Sequence, residues 1–185
     1  DLLKFLGEFH LNGGSGLFGF YVSIDAKKST LMVPYLSQGG IGLPDVEYYT
    51  KDDNRSKEIR ERYVKHISNM FKLIDVSAET AEEYSERVMN IETKLAFASN
   101  TRLENRDPQK TYNKMTIRNL QSMTSGFDWD LYFQNLGVGK LDLVVVRQPK
   151  FFETLGNLIE EIELNDWKVY LKWNLIRGAA SSLSF

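Results

Sequence analysis

Few residues in this sequence are suited to metal chemistry, because it contains only two histidines, His10 and His66, and no cysteine. A zinc site needs three or four ligands from His, Cys, Asp and Glu, and His-Glu-x-x-His, which places two of them on one helical face, does not occur. His66 follows Tyr63 at helical spacing, so we expect it on a helix face, bonded to a carbonyl group or to water. The sequence therefore predicts no metal ligand in this chain.

Four carboxylates crowd one stretch with a helical pattern: Glu79, Glu82, Glu83 and Glu86. A carboxylate-bridged di-metal site in a helical bundle would need Glu-x-x-His on two helices, and the sequence has no such pair. A solvated acidic face near a helix N-terminus, favoured by the helix dipole, explains the cluster better. Glu92 differs because it lies beside Ile91 and Leu95 in an apolar stripe. We expect Glu92 to be partly buried and paired, in a structural role.

Two further patterns are only superficially similar to nucleotide or nucleic-acid sites. Gly39-Gly40-Ile41-Gly42 lacks the Lys-Ser/Thr ending of a P-loop, so we predict a tight turn that brings the preceding hairpin onto the helices. Lys168, Tyr170, Lys172 and Trp173 combine basic and aromatic residues, but core-facing aromatics with snorkelling lysines account for them. We therefore assign no catalytic residue and no cofactor-binding residue.

The overall composition is that of an ordinary soluble globular protein. The 185 residues are 42% hydrophobic, 12% aromatic and 26% charged, which is enough to bury a core. A formal net charge of -2, with basic and acidic residues interspersed, disfavours a nucleic-acid-binding protein. No apolar run reaches the length of a membrane span, so we expect no membrane contact from this chain.

The N-terminal part combines a helix with a β-hairpin. Apolar residues within residues 1–10 recur at helical spacing, and Gly13-Gly14-Ser15-Gly16 then interrupts the helix, either as a native loop or as an engineered junction. Alternating apolar residues predict a strand from Phe18 to Ile24, and a second extended run spans Thr30 to Leu36. Pro34 cannot donate to a neighbouring strand, so the second strand should lie at a sheet edge or end there.

The remaining elements are mostly helical. From about Asp53, apolar residues three and four apart predict two long amphipathic helices, the second capped by Ser77, that pack as an antiparallel hairpin. Asp107-Pro108 should cap and open another helix. Asp128 should cap a short helix, and Asn165 should cap the last one.

These elements predict a mainly α fold, a helical domain with long antiparallel amphipathic helices and one small β-hairpin near the N-terminus. We expect residues 1–43 to form an N-terminal helix, hairpin and linker, and residues 44–185 to form a helical lobe. Composition and spacing alone lead no further than a soluble helical domain.

Several strings of residues are more specific than this composition. Gly-Leu-Pro-x-x-x-Tyr-Tyr spans residues 42–49, and the most distinctive string joins Arg106-Asp107-Pro108 to residues 110–116. The others are Arg62-Tyr63-x-x-His66, Ile91-Glu92-x-x-Leu95-Ala96, Asp128-Trp129, Gln148-Pro149-x-Phe151-Phe152, Asp166-Trp167-Lys168-x-Tyr170-Leu171-x-Trp173 and Ser181-Ser182-Leu183-Ser184. In this order, from about residue 17 onward, the chain resembles the N-terminal, non-catalytic region of the neprilysin-like zinc metallopeptidases.

The resemblance implies a part of a two-lobed metalloendopeptidase. In that family one lobe holds zinc through His-Glu-x-x-His and a later Glu, and a helical lobe faces it and encloses a chamber that admits peptides. This chain would supply part of the helical lobe, with the catalytic lobe of the same polypeptide as its partner and zinc only in the parent enzyme. The resemblance also implies an extracytoplasmic parent, and the lack of cysteine is similar to bacterial members.

Two other functions stay open at this point. The chain could be a stand-alone helical interaction module without catalysis. It could also be a small enzyme that uses carboxylates of the helical core, with Glu92 and Asp107 as the candidates. We expect Arg106-Asp107-Pro108 to be structural, with Asp107 capping a turn and with Tyr112 and Asn113 fastening the following loop.

Overall fold

A computed structural model describes residues 2–180 of the chain, and the Ser181-Ser182-Leu183-Ser184 string lies outside these residues. The helices are α1 (Leu2–Leu11), α2 (Glu47–Thr50), α3 (Asn54–Lys72), α4 (Ala78–Ala98), α5 (Ile117–Met123), α6 (Trp129–Asn135), α7 (Pro149–Glu161) and α8 (Leu164–Ala179). The strands are β1 (Phe18–Asp25), β2 (Lys28–Gln38), β3 (Asn113–Thr116) and β4 (Leu143–Val146). The predicted mainly α class is confirmed.

The predicted hairpin is half of a four-stranded sheet with the strand order β1-β2-β4-β3. β1 and β2 are antiparallel, β4 joins β2 in parallel at Tyr35 and Leu36, and β3 pairs with β4 antiparallel. The prediction that this strand lies at a sheet edge or ends at Pro34 is wrong, because β2 lies between β1 and β4 and continues past Pro34 to Gln38. The missing N–H of Pro34 is tolerated there because the pairing with β4 begins only at Tyr35.

The predicted hairpin of two long helices is confirmed as α3 and α4. A side-chain cap stabilises the first turn of each helix. The Asp53 carboxylate accepts from the backbone N–H of Ser56 at 3.0 Å, and Ser77 accepts from Thr80 N–H at 3.2 Å. On α3 the buried apolar side chains lie four residues apart: Tyr63, Ile67 and Phe71. This spacing aligns them on one face, so α3 packs against α4 through a continuous apolar stripe.

An aromatic cluster joins the sheet to the helices. The ring of Phe18 at the start of β1 contacts the His10 ring and four buried aromatic rings, with centroids 5.3 to 5.7 Å apart: those of Phe127, Trp129, Tyr132 and Phe152. All four of these side chains are at most 1% exposed. Residues from both sides of the predicted 43/44 division therefore share one core. The division itself stays a prediction.

Two predicted helix starts are wrong. Residues 108–111 form a turn and no helix follows Asp107 directly, because the next residues enter β3. The last helix begins at Leu164 with Glu163 as its N-cap, so Asn165 lies inside α8. The Asp128 cap is confirmed, since its carboxylate accepts from Leu131 N–H at 2.9 Å.

Candidate functional site

The strings at residues 42–49, 62–66 and 91–96 come together around Glu92, which lies on α4 and is 0% exposed. One carboxylate oxygen, Oε2, accepts from the Tyr49 hydroxyl at 2.5 Å and from the backbone N–H of Gly42 at 3.0 Å. The other oxygen, Oε1, accepts from the Tyr63 hydroxyl at 3.0 Å. We call Glu92, Tyr49, Tyr63 and Gly42 the glutamate cluster. It joins α4 to α2, to α3 and to the loop after β2.

Residue 42 has to be glycine because its backbone lies very close to the Tyr63 hydroxyl. A Cβ atom at residue 42 would lie 1.8 Å from the hydroxyl oxygen of Tyr63, which no side chain could tolerate without movement. The Tyr49 hydroxyl also accepts from the backbone N–H of Leu43 at 2.8 Å. Two tyrosines and a carboxylate therefore hold this loop against the helices, as predicted, although residues 39–42 form no hydrogen-bonded turn and the chain bends at residues 42–44.

Helix α8 holds the other side of the same loop. The Tyr170 hydroxyl donates to the carbonyl of Gly40 at 2.6 Å and accepts from the N–H of Leu17 at 3.0 Å. Gly40 has a φ of +82°, and a Cβ there would lie 2.8 Å from Leu17 Cα. Trp173 donates from Nε1 to the Tyr63 hydroxyl at 3.2 Å. Tyr170 and Trp173, which were predicted to face the core, thus contact different parts of the fold.

The glutamate cluster places one carboxyl group inside the protein. Burial raises the pKa of Glu92 above its ordinary value, while hydrogen bonds from Tyr49, Gly42 and Tyr63 and the charge of Arg177 act in the opposite direction. Burial, together with the charge of Glu92, raises the pKa of both tyrosines, so their hydroxyls remain protonated donors. The arrangement matches a carboxylate whose lone pairs face fixed donors.

This geometry suits a structural link better than acid–base catalysis. A general base must present a lone pair to a substrate within hydrogen-bond reach. Glu92 is fully buried, and both of its oxygens are occupied by protein donors. Glu92 was expected to be partly buried and paired; it is paired and fully buried, and its structural role stays a prediction. The structure does not support the hypothesis of a small enzyme that acts through Glu92.

A second buried carboxylate, Asp25, was not singled out from the sequence. It lies at the end of β1, is 2% exposed, and bonds Lys114 Nζ at 2.5 Å and the Tyr112 hydroxyl at 2.8 Å. Hydrogen bonding from Lys114 is the largest effect that holds the pKa of Asp25 well below its ordinary range, and burial is the largest effect that raises the pKa of Tyr112 to about 12. We call Asp25, Lys114 and Tyr112 the Asp25 cluster. It joins the hairpin turn to residues 112–114.

Three amide side chains, those of Gln38, Gln148 and Asn105, make a third polar link, which we call the amide link. Gln38 at the end of β2 exchanges two hydrogen bonds of 2.8 Å with the backbone of Asn100, just after α4. Gln148 is 3% exposed and accepts from Gln38 N–H at 2.9 Å, while its amide nitrogen donates to Asn105 at 2.7 Å. These bonds position the loop after α4 against the sheet and the start of α7.

The family follows from comparison with known proteins. A family model described as Peptidase family M13 matches residues 1–185. The chain belongs to peptidase family M13. The chain is 27% identical to endothelin-converting enzyme 1 of Cavia porcellus over 174 residues, which cover 91% of this chain and 23% of that protein. It is 27% identical to neprilysin-3 of Drosophila melanogaster over 179 residues, again 91% of this chain and 23% of that protein.

Among solved structures, the fold is similar to that of the Mycobacterium tuberculosis zinc metalloprotease Zmp1 in complex with an inhibitor. The TM-score is 0.92 at 34% sequence identity, and the match covers 98% of this chain and 28% of that chain. The M13 chain described here therefore spans about a quarter of the length of the relatives that it matches.

The two histidines of this M13 chain lie apart and have different surroundings. His10 bonds the Tyr132 hydroxyl through Nδ1 at 2.8 Å and the Gly16 carbonyl through Nε2 at 3.0 Å, and burial lowers its pKa. His66 is exposed on α3, with its ring 5.8 Å from that of Trp173. The expected helix-face position of His66 is confirmed, whereas the bonding partner expected for it stays a prediction.

The acidic residues Glu79, Glu82, Glu83 and Glu86 are all exposed on α4, as expected for a solvated face. Asp107 caps a turn, since its carboxylate accepts from Gln109 N–H at 2.9 Å. Asn113 fastens the same turn through its amide, which donates to the Lys110 carbonyl at 2.9 Å. The roles expected for Asp107 and Asn113 agree with the geometry, whereas the Tyr112 hydroxyl bonds the Asp25 carboxylate and not the backbone. Arg106 lies exposed beside them.

Proposed function

We propose that this chain forms part of the helical lobe that encloses the active-site chamber of a zinc metalloendopeptidase and restricts it to peptides. The main support for this proposal is the structural match to Zmp1, with a TM-score of 0.92 over 98% of this chain. Peptide hydrolysis then needs the remaining, catalytic part of the same polypeptide. That catalytic lobe is the partner of this chain, and peptides are the substrates of the whole enzyme.

The residues described here do not fit a zinc site. Within residues 2–180, no group of three or more His, Cys, Asp or Glu side chains is arranged to hold a metal ion. Both ring nitrogens of His10 are already engaged by Tyr132 and Gly16. We therefore derive no catalytic step from this chain, and zinc would be held by the part of the parent enzyme that lies outside it.

The function of the described residues is then mechanical. The glutamate cluster fixes the loop after β2, and the Asp25 cluster fixes the hairpin turn. The amide link fixes the loop after α4. A chamber wall has to keep its shape to exclude folded proteins, and buried charge-assisted bonds with fixed geometry supply that rigidity. None of the helices in residues 2–180 is long and apolar enough to cross a membrane. We propose an extracytoplasmic parent from the family resemblance alone.

The test compares the full-length gene product with the 185-residue chain. We expect the full-length product to bind zinc in a defined ratio and to cleave a short unstructured peptide. The same peptide sequence, inserted in a loop of a stably folded protein, is the matched control and should resist cleavage. The 185-residue chain should bind no stoichiometric zinc by calorimetry and should cleave neither substrate.

Two results would count against the proposal. Zinc-dependent cleavage by the 185-residue chain would place catalysis in the chain itself. A full-length product without zinc or peptidase activity, together with cooperative unfolding of the 185-residue chain, would favour the alternative of a stand-alone helical interaction module.

A further inference from the structure

An apolar groove lies on the surface between α1 and α8, and we call it the α1–α8 groove. It has a volume of about 420 Å³. Its lining comes from both helices: Leu2, Phe5, Leu164, Lys168, Leu171, Lys172 and Leu175. Within this lining there is no acidic residue.

The α1–α8 groove exposes large apolar side chains in one contiguous strip. Phe5 is 48% exposed, Leu164 is 50% exposed and Leu175 is 57% exposed, while Leu171 is 4% exposed and forms the floor. From Leu164 to Leu175 the strip follows α8 for about 16 Å, or three helical turns. Contiguous apolar surface of this kind usually marks an interaction site, whereas single exposed apolar residues do not.

The shape and charge of the groove select the kind of partner. Two neighbouring helices with an apolar furrow between them accept a third helix, whose ridge of side chains fills the furrow. Lys168 and Lys172 are exposed beside the apolar strip. A helix whose flank carries Asp or Glu would complement these two charges.

We propose that the α1–α8 groove seats an amphipathic helix of the same polypeptide, with acidic residues on the flank that faces Lys168 and Lys172. This inference rests on the proposed function, in which the chain is one part of a longer enzyme; it covers only 28% of the Zmp1 chain. A tethered helix also binds at high effective concentration. A second copy of this chain is disfavoured, because a symmetric contact through the groove would bring lysines from the two copies together.

Thiol labelling of the full-length gene product tests this inference, since the 185 residues contain no cysteine. Leu175→Cys reports on the groove, and Leu164→Cys reports on its other end. Leu73→Cys is the matched control, because Leu73 is 60% exposed at the far end of α3. Maleimide labelling rates are read by peptide mass, so that any cysteine elsewhere in the product does not interfere.

We expect both groove positions to label at least about ten-fold more slowly than residue 73 in the native protein, and at equal rates in urea, because only local opening exposes a covered site. Adding Lys172→Glu should speed labelling at residue 175 several-fold, whereas Lys65→Glu on α3 should leave it unchanged.

Equal rates at the groove positions and at residue 73 would overturn the inference. Slow labelling that appears only at high protein concentration would overturn it too, because the occupant would then be a second copy. Peptidase activity is measured on the same samples. An active product with a freely labelled groove refutes only this inference, whereas an inactive, zinc-free product refutes the proposed function.

Discussion

Replacing Glu92 tests whether the glutamate cluster holds the fold together. Glu92→Ala removes an acceptor for two buried hydroxyls and one backbone N–H. Each of these three buried donors left without a partner costs about 1–3 kcal/mol. We expect Glu92→Ala to lower the free energy of unfolding by at least about 3 kcal/mol. Glu92→Gln keeps the volume and one acceptor oxygen, so we expect a loss of about 1–3 kcal/mol at pH 7.

The effect of Glu92→Gln should depend on pH in a defined direction. Burial raises the pKa of Glu92 in the folded state above its ordinary value of 4.5, so the folded state binds more protons than the unfolded state above that value. The stabilising contribution of Glu92 to the free energy of unfolding is therefore fully present below pH 4.5, and it falls as the pH rises through the raised pKa. Glutamine does not titrate, so the advantage of the natural protein over Glu92→Gln should shrink as pH rises within this window.

Urea unfolding monitored by tryptophan fluorescence at several pH values measures these differences. All three tryptophans are at most 1% exposed, so the signal reports on the core. Glu86→Gln is the control, because Glu86 is exposed on the same helix and should change stability by less than about 0.5 kcal/mol. If Glu92→Ala were no more destabilising than Glu86→Gln, the cluster would not be a stabilising link and our reasoning would be wrong.

Two further variants test neighbouring features. Gly42→Ala should destabilise the chain by about 2–4 kcal/mol in the same urea assay, because its Cβ would overlap the Tyr63 hydroxyl. The control is Gly178→Ala, which has open space in α8 and should be neutral or up to about 1 kcal/mol stabilising. Equal effects of the two substitutions would contradict the close approach of Gly42 to Tyr63. Asp25→Asn should lower the thermal midpoint at pH 7 by loss of the ion pair with Lys114. Because the pKa of Asp25 is held low, this difference should shrink below pH 3.8, and a difference independent of pH would refute the ion-pair explanation.

Periodicity and caps in the sequence predicted the parts of the fold that depend on local interactions. The stripe of α3 and the caps at Ser77 and Asp128 involve residues at most four positions apart, which a sequence displays directly. β3 was not predicted because its three half-buried residues and one exposed residue carry little pattern and depend on β4, about thirty positions away along the chain. Pro34 was interpreted from local preference, and the pairing of β2 with β4 overrode that preference. Asn165 was also interpreted from local preference, but α8 begins before it, at Leu164.

The candidate site was predictable in its residue types but not in its contacts. The position of Glu92 beside an apolar stripe indicated burial and pairing. Its partners lie 29 to 50 positions away, so no spacing rule could find them. Asp25 was not singled out from the sequence, because nothing there brings Lys114 to it from 89 positions away.

The contacts of α8 have a consequence for the order of events during synthesis. Tyr170 bonds Leu17 and Gly40, which lie 153 and 130 positions earlier in the chain, and Trp173 bonds Tyr63. Local helices and the hairpin can form as the chain leaves the ribosome, but the loop after β2 gains its last partners only after α8 has emerged. Until then the aromatic core is open on one side. A nascent chain stopped before residue 164 should therefore be a chaperone client, whereas one that includes α8 should be released.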